Sequence, residues 1–155
     1  MTVRSSPFYE LQKLYRILLY AQIGLGILGI ALIQFNLLKP FASVSMDRLL
    51  QVITVIYSFA AVIVGMQLFR RRVESIRSDD NAVRTKLAAY KSAAMLQWYL
   101  LLGASVFCMV SYVITGNWSF LGLTIMILAI FGGLNPFKQK VMLQLRLSDQ
   151  DVAGI

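Results

Sequence analysis

Five glutamines are the side chains of this sequence best suited to bind something in an apolar setting. Gln22, Gln34, Gln51, Gln67 and Gln97 fall in or beside long apolar runs, with Thr54, Ser58, Ser105, Ser111 and Thr124. An amide both donates and accepts, so such a set can line a hydrated path, hold a ligand or join two helices. Joining helices is the preferred reading, at under about 1–2 kcal/mol per bond. Gln22 and Gln97 stand apart because an internal echo, described below, places them in equivalent positions. The rest of the chemistry is defined by what is missing. The 155 residues contain no histidine, which removes His-ligated haem, most zinc and copper sites and histidine-based catalysis. The apolar runs contain no Asp or Glu, the groups that bind and release a coupling ion in driven transporters, so any movement of a solute would be passive. Cys108 is the only cysteine and reads as a buried structural thiol. Gly24-x-Gly26-x-x-Gly29 matches the spacing of a dinucleotide fingerprint, but it lies inside an apolar run with no strand before it. No metal, cofactor or catalytic group is expected, and the chain is read as non-enzymatic.

The elements that carry these residues are long apolar helices. The runs 17–38, 49–69, 93–114 and 118–134 contain no charged residue, and each is close to the roughly 20 residues that cross about 30 Å of hydrocarbon. The expected fold is all-α: one domain, residues 1–155, built as a four-helix transmembrane bundle. The basic residues are distributed unevenly about the runs. Arg4, Lys13 and Arg16 precede the first, seven lie in the 70–92 loop, and Lys138, Lys140 and Arg146 follow the last, whereas only Lys39 and Arg48 lie on the other side. Basic loops stay inside, so the N-terminus, the 70–92 loop and the C-terminus are expected in the cytoplasm. The same pattern explains the net charge of +8 and argues against nucleic acid as a partner. Arg70, Arg71 and Arg72, at the membrane surface, are expected to attract anionic lipid headgroups at roughly 1 kcal/mol per basic group.

Local signals set the expected boundaries. Ser6-Pro7 opens helix one and Lys39-Pro40 closes it. Ser45 caps helix two, which continues past the apolar run to about Ile76. Helix three starts near Asp80 and reaches Ile114, about 52 Å at 1.5 Å per residue, so it projects into the cytoplasm. Thr115-Gly116-Asn117 is a tight turn, and Gly132-Gly133 ends helix four. Asn135 and Pro136 then start a short amphipathic helix in the tail, 136–155, with Phe137, Val141, Met142 and Leu145 on one face. That helix either lies on the inner leaflet or packs back on the bundle.

Two echoes point to a tandem duplication of a helical hairpin. Tyr15-Arg16 followed by Gln22 matches Tyr90-Lys91 followed by Gln97, and Phe69-Arg70-x-Arg72-Val73 matches Phe137-Lys138-x-Lys140-Val141. The same alignment superposes two helix-packing motifs, Ala61-xxx-Gly65 and Ala129-xxx-Gly133, whose small residues let backbones approach. A pseudo-twofold axis along the membrane normal is expected, with Gln22 and Gln97 at equal depth.

The stretch from Lys86-Leu87-Ala88-Ala89-Tyr90 through Thr115-Gly116-Asn117 to Asn135-Pro136-Phe137-Lys138 and Leu147-Ser148 resembles a family of small bacterial four-helix membrane proteins with no assigned activity. The resemblance is stronger in the second half of the chain. It implies the topology and a bacterial inner-membrane location, and implies nothing about a reaction. Relatives often carry a glutamate in helix three near Leu102–Gly103, and this chain does not. The expected role is an oligomeric or accessory scaffold subunit of a membrane complex, working with copies of itself or another membrane protein in the lipid bilayer. The alternative is a small passive channel or facilitator lined by neutral polar residues.

Overall fold

A computed structural model of the protein describes residues 7–79 and 82–148. The described chain is helical: α1 (Pro7–Gln34), α2 (Val44–Ser78), α3 (Val83–Thr115), α4 (Trp118–Gly133) and α5 (Lys138–Leu145). Among the described residues α1, α2 and α3 are each long and apolar enough to cross a membrane. α4 is apolar but has 16 residues, about 24 Å of helix. α5 turns away from it by 73°.

α3 is the centre of the bundle. α2, α4 and α1 all pack on it, whereas α1 packs on α3 and α4 and makes little or no contact with α2. The chemistry of α3 explains its place: Ala93, Ala94, Ala104 and Ser105 let neighbours come close, and Trp98, Leu101, Met109 and Tyr112 fill the spaces, all buried. α1 and α2 keep Ile17, Ile27, Leu28, Val52, Ile56 and Ile63 exposed, the pattern of surfaces facing lipid rather than water. α3 runs antiparallel to α2, with Thr54 Oγ1 and Ser111 Oγ 3.3 Å apart and Ser58 Oγ 3.4 Å from Cys108 Sγ. It is parallel to α1, where Tyr15 packs on Trp98 and Gly29 on Met109.

The expected tandem hairpins are therefore not a packed feature of the first half. α2 pairs with α3 rather than with α1, because the small residues able to accept it are on α3. Other boundaries also shift. α1 stops at Gln34, before Lys39-Pro40, because Asn36 takes a left-handed conformation (φ 54°) and the Leu38 N–H turns back to the Leu32 carbonyl. Ser43, not Ser45, caps α2, accepting from the Met46 N–H at 3.3 Å. α3 begins at Val83 with no side-chain cap. α5 begins at Lys138 rather than at Pro136. Ser6 and Asp80, the expected starts of helices one and three, lie outside the described residues, as do Arg4 and residues 149–155.

The Gly116 turn and the Gly132-Gly133 helix end are formed as expected. Gly116 has φ 69° and its N–H bonds the Tyr112 carbonyl; Asn117 then caps α4 by accepting from the Ser119 N–H at 3.0 Å. Asn117 Nδ2 also donates to both carboxylate oxygens of Asp47 at 3.2 and 3.0 Å. Asp47 thereby ties the start of α2 to the α3–α4 turn, and Gln51 donates to it as well.

α5 packs back on the bundle. Val141 and Leu145 are buried in a cluster with Val73, Ile76, Leu87 and Tyr90, and Arg77 donates twice to the Gln144 carbonyl, at 3.3 and 3.0 Å. Phe137 leaves the expected apolar face and is exposed. The seam between the end of α2 and the start of α3 is apolar, and burying one face of α5 there covers it.

Candidate functional site

The basic residues gather at one end of the bundle because α1, α2 and α3 continue past their apolar lengths there. Lys13, Arg16, Arg70, Arg71, Arg72, Arg77, Lys86 and Lys91 belong to those extensions, and Lys138 and Lys140 to α5. Beneath this basic end is a small polar cavity of about 30 Å³, lined by Phe69, Tyr90, Gln97, Trp98, Lys140 and Gln144 among others. Its volume suits one or two water molecules. The Tyr90 hydroxyl donates to Gln144 Oε1 at 2.7 Å, and Lys140 Nζ donates to the Gly133 carbonyl at 3.0 Å. Tyr90 lies outside the apolar 93–114 stretch, and burial pushes its phenol up to about 12. It is thus a neutral donor throughout the physiological range. Tyr15 closes the other side of the same region. Its hydroxyl donates to the Phe131 and Gly132 carbonyls at 3.0 and 3.1 Å, satisfying the end of α4, and its ring stacks on Phe131.

Gln97 and Gln22 are both buried, at 4% and 1% exposed, but they do not share a depth. Tyr15 against Trp98 and Gly29 against Met109 set the register of α1 on α3. Gln22 then lies level with roughly residues 102–105, about 10 Å beyond Gln97 along the bundle. The equal depth expected from the echo is not met, because α1 is displaced along α3 to fit Tyr15 between Trp98 and Phe131. Gln22 has no hydrogen-bond partner on either amide atom, and neither have Ser105 Oγ and Tyr112 Oη. Gln34 and Gln67 are exposed and Gln51 serves Asp47.

The three arginines after Phe69 also separate. Successive helical residues point about 100° apart, so Arg70, Arg71 and Arg72, all exposed, cannot face one headgroup together. Arg72 alone among them borders α3, in a cleft with Lys91 and Ser92. Lys91 pairs with Glu10 of α1 at 3.3 Å.

The two small-residue motifs do different work. Ala61 and Gly65 are buried against α3, where a Cβ on Gly65 would lie 3.5 Å from Gln97 Cγ and 3.7 Å from Leu100 Cδ1. Ala129 and Gly133 are exposed, and a Cβ on Gly133 would meet nothing within 4 Å. The equivalence expected from the alignment fails because α4 turns its Tyr15-facing side, not its small side, to the bundle.

Sequence reasoning missed Asp47, among the described residues the one acid at the end opposite the basic cluster, and its clamp on Asn117. A lone acid beside an apolar run was the available signal. No group of three or more His, Cys, Asp or Glu close enough to hold a metal ion occurs among the described residues. No family model, curated protein or solved structure matches this chain.

Proposed function

We propose that this chain is a non-enzymatic accessory or scaffold subunit that associates with copies of itself, or with another membrane protein, in a bacterial inner membrane. The observation that carries the reading is the neutral interior. Among the described residues, the buried polar groups along the apolar length of the bundle are glutamine, serine, threonine, tyrosine and the Cys108 thiol, with no carboxylate or cation among them. In lipid, such groups serve to join helices. α4 is a fourth, short span in this reading, with the basic end in the cytoplasm. Its outward face, with Ala129 and Gly133, is where a second copy can approach closely.

Native mass spectrometry from a mild membrane extract tests the assembly. The expected result is a defined oligomer or a stoichiometric complex. Ala129→Leu with Gly133→Leu is expected to reduce assembly at least tenfold without unfolding the monomer, since both positions are exposed and a Cβ on Gly133 would meet no described atom within 4 Å; tenfold corresponds to about 1.4 kcal/mol. A chain that is monomeric and alone at membrane concentrations sinks the reading. A passive channel is favoured by one observation, the unpartnered Gln22 and Ser105 at a similar level. Solute flux through proteoliposomes holding only this chain would put the channel in place of the scaffold.

The orientation has its own test. In a Cys108→Ala background, a cysteine replacing Ser78 is expected to react only with a reagent applied from the cytoplasmic side. Labelling from the periplasmic side of intact cells reverses the assignment.

A further inference from the structure

Because α1 and α2 pack on α3 but hardly on each other, one face of α3 is left uncovered. Ala88, Ser92, Tyr99, Val106 and Val110 on that face are exposed, and Met95 and Gly103 are half-buried, with the Tyr57 hydroxyl of α2 flanking the stripe beside Gly103. These positions recur every three or four residues, so they form one continuous stripe. At its basic end the stripe opens into a cleft of about 380 Å³ bordered by Arg72 of α2 and by Lys91, Ser92, Met95, Leu96 and Tyr99 of α3. Polar and cationic groups stand at the mouth, and the apolar stripe continues from them toward the middle of the bundle.

We propose that this face is a specific site for one anionic phospholipid, with its phosphate held by Arg72, Lys91 and Ser92 and one acyl chain laid along Met95, Tyr99 and Val106. Three observations favour a lipid over a partner helix. The first is charge. Lys91 in the cleft pairs with Glu10 of α1, and that ion pair is exposed, the two side chains being 38% and 53% accessible for Lys91 and Glu10. Exposed pairs of this kind are weak, so a phosphate can share or replace the carboxylate on Lys91. A guanidinium and an ammonium bordering one cleft favour a net-anionic headgroup over one carrying its own cation. The second is length. One leaflet is about half of 30 Å, or ten residues of helix at 1.5 Å each, which from Met95 reaches Val106. The third is Tyr99, half-exposed on the stripe one turn beyond Met95, whose ring offers a flat apolar surface for the acyl chain to lie against. The site needs no particular complex around it, so it stands or falls separately from the scaffold reading.

The test uses the full chain in nanodiscs, extracted for native mass spectrometry. One set contains phosphatidylcholine alone and the other a mixture with phosphatidylglycerol. Wild-type protein is expected to retain one phosphatidylglycerol, preferred over phosphatidylcholine by roughly tenfold. Arg72→Gln with Lys91→Gln is expected to abolish that preference. Arg70→Gln with Arg71→Gln removes the same total charge, both from α2 and neither from the cleft, and is expected to keep it. Equal loss in both double variants would reduce the effect to diffuse surface attraction and overturn the site. So would equal retention in both, or retention of inorganic phosphate in place of lipid. A photocrosslinking residue in place of Val106 gives a second measurement, insensitive to headgroup charge. It is expected to capture acyl chain, and capture of a protein there would assign the face to a partner helix instead.

Discussion

Replacing Trp98 by alanine is expected to lower the stability of the bundle by about 3 kcal/mol, the largest effect of any single truncation in the apolar core. Trp98 is 1% exposed. Its ring centroid lies 5.5 Å from that of Tyr15 and 6.3 Å from that of Phe131. It is the common contact of α1, α3 and α4 at the level where the Tyr15 hydroxyl ties off the last carbonyls of α4. In water such a truncation costs about 3–5 kcal/mol, part transfer and part cavity. In lipid the transfer part shrinks, because hydrocarbon is also the surroundings of the separated helices. The cavity part stays, since the atoms lining the hole lose their contacts wherever the protein is. The lower end of the range follows. Denaturation in mixed micelles, comparing Trp98→Ala with a truncation at lipid-exposed Ile27, checks it. A difference under about 1 kcal/mol would mean that α1 and α4 are not organised around this residue.

Gly116→Ala is the second large effect, expected at about 2 kcal/mol or more. The left-handed backbone there costs a residue with a Cβ about 1–2 kcal/mol. The added carbon would also lie 2.7 Å from Pro40 Cγ and 3.3 Å from Pro40 Cβ. Pro40 cannot move aside freely, because the Phe41 and Ala42 N–H groups that follow it both bond the Ile114 carbonyl, at 3.1 and 3.3 Å. One methyl group therefore strains the turn and loosens the α1–α2 link from the end of α3. Gly133→Ala is the control. A Cβ there meets nothing, and the same denaturation experiment is expected to show a change within about 0.5 kcal/mol. Equal effects at the two glycines would place the cost in helix propensity and not in the turn.

Much of the fold was legible because lipid leaves the backbone few choices. A run without charges must be helical if it is to satisfy its own amides in hydrocarbon, so the three long helices could be placed to within a few residues. The glycine turn before Trp118 was legible for a local reason, since Gly116 is the residue that tolerates the left-handed position closing α3. Boundaries decided by a single dihedral were not. Asn36 ends α1 before the proline does, and Ser43 caps α2 ahead of Ser45, because either serine offers the same hydroxyl and only the path of the link selects between them.

The sequence by itself determined composition-level facts: apolar lengths, neutral polar groups within them, and basic residues gathered at one end. It could not determine which helix each face would meet. The paired motifs Tyr15/Tyr90, Gln22/Gln97 and Ala61/Ala129 look equivalent as strings, yet the structure gives them different depths and different neighbours. The physical reason is that packing between lipid-embedded helices depends on shape and close approach, not on hydrophobicity, which is the same on every side. Small residues on α3 accept α2 and α4, Tyr15 seats α1 between Trp98 and Phe131, and the face of α3 left over becomes a surface. That choice belongs to the tertiary structure, because it depends on side chains from three helices meeting at one level.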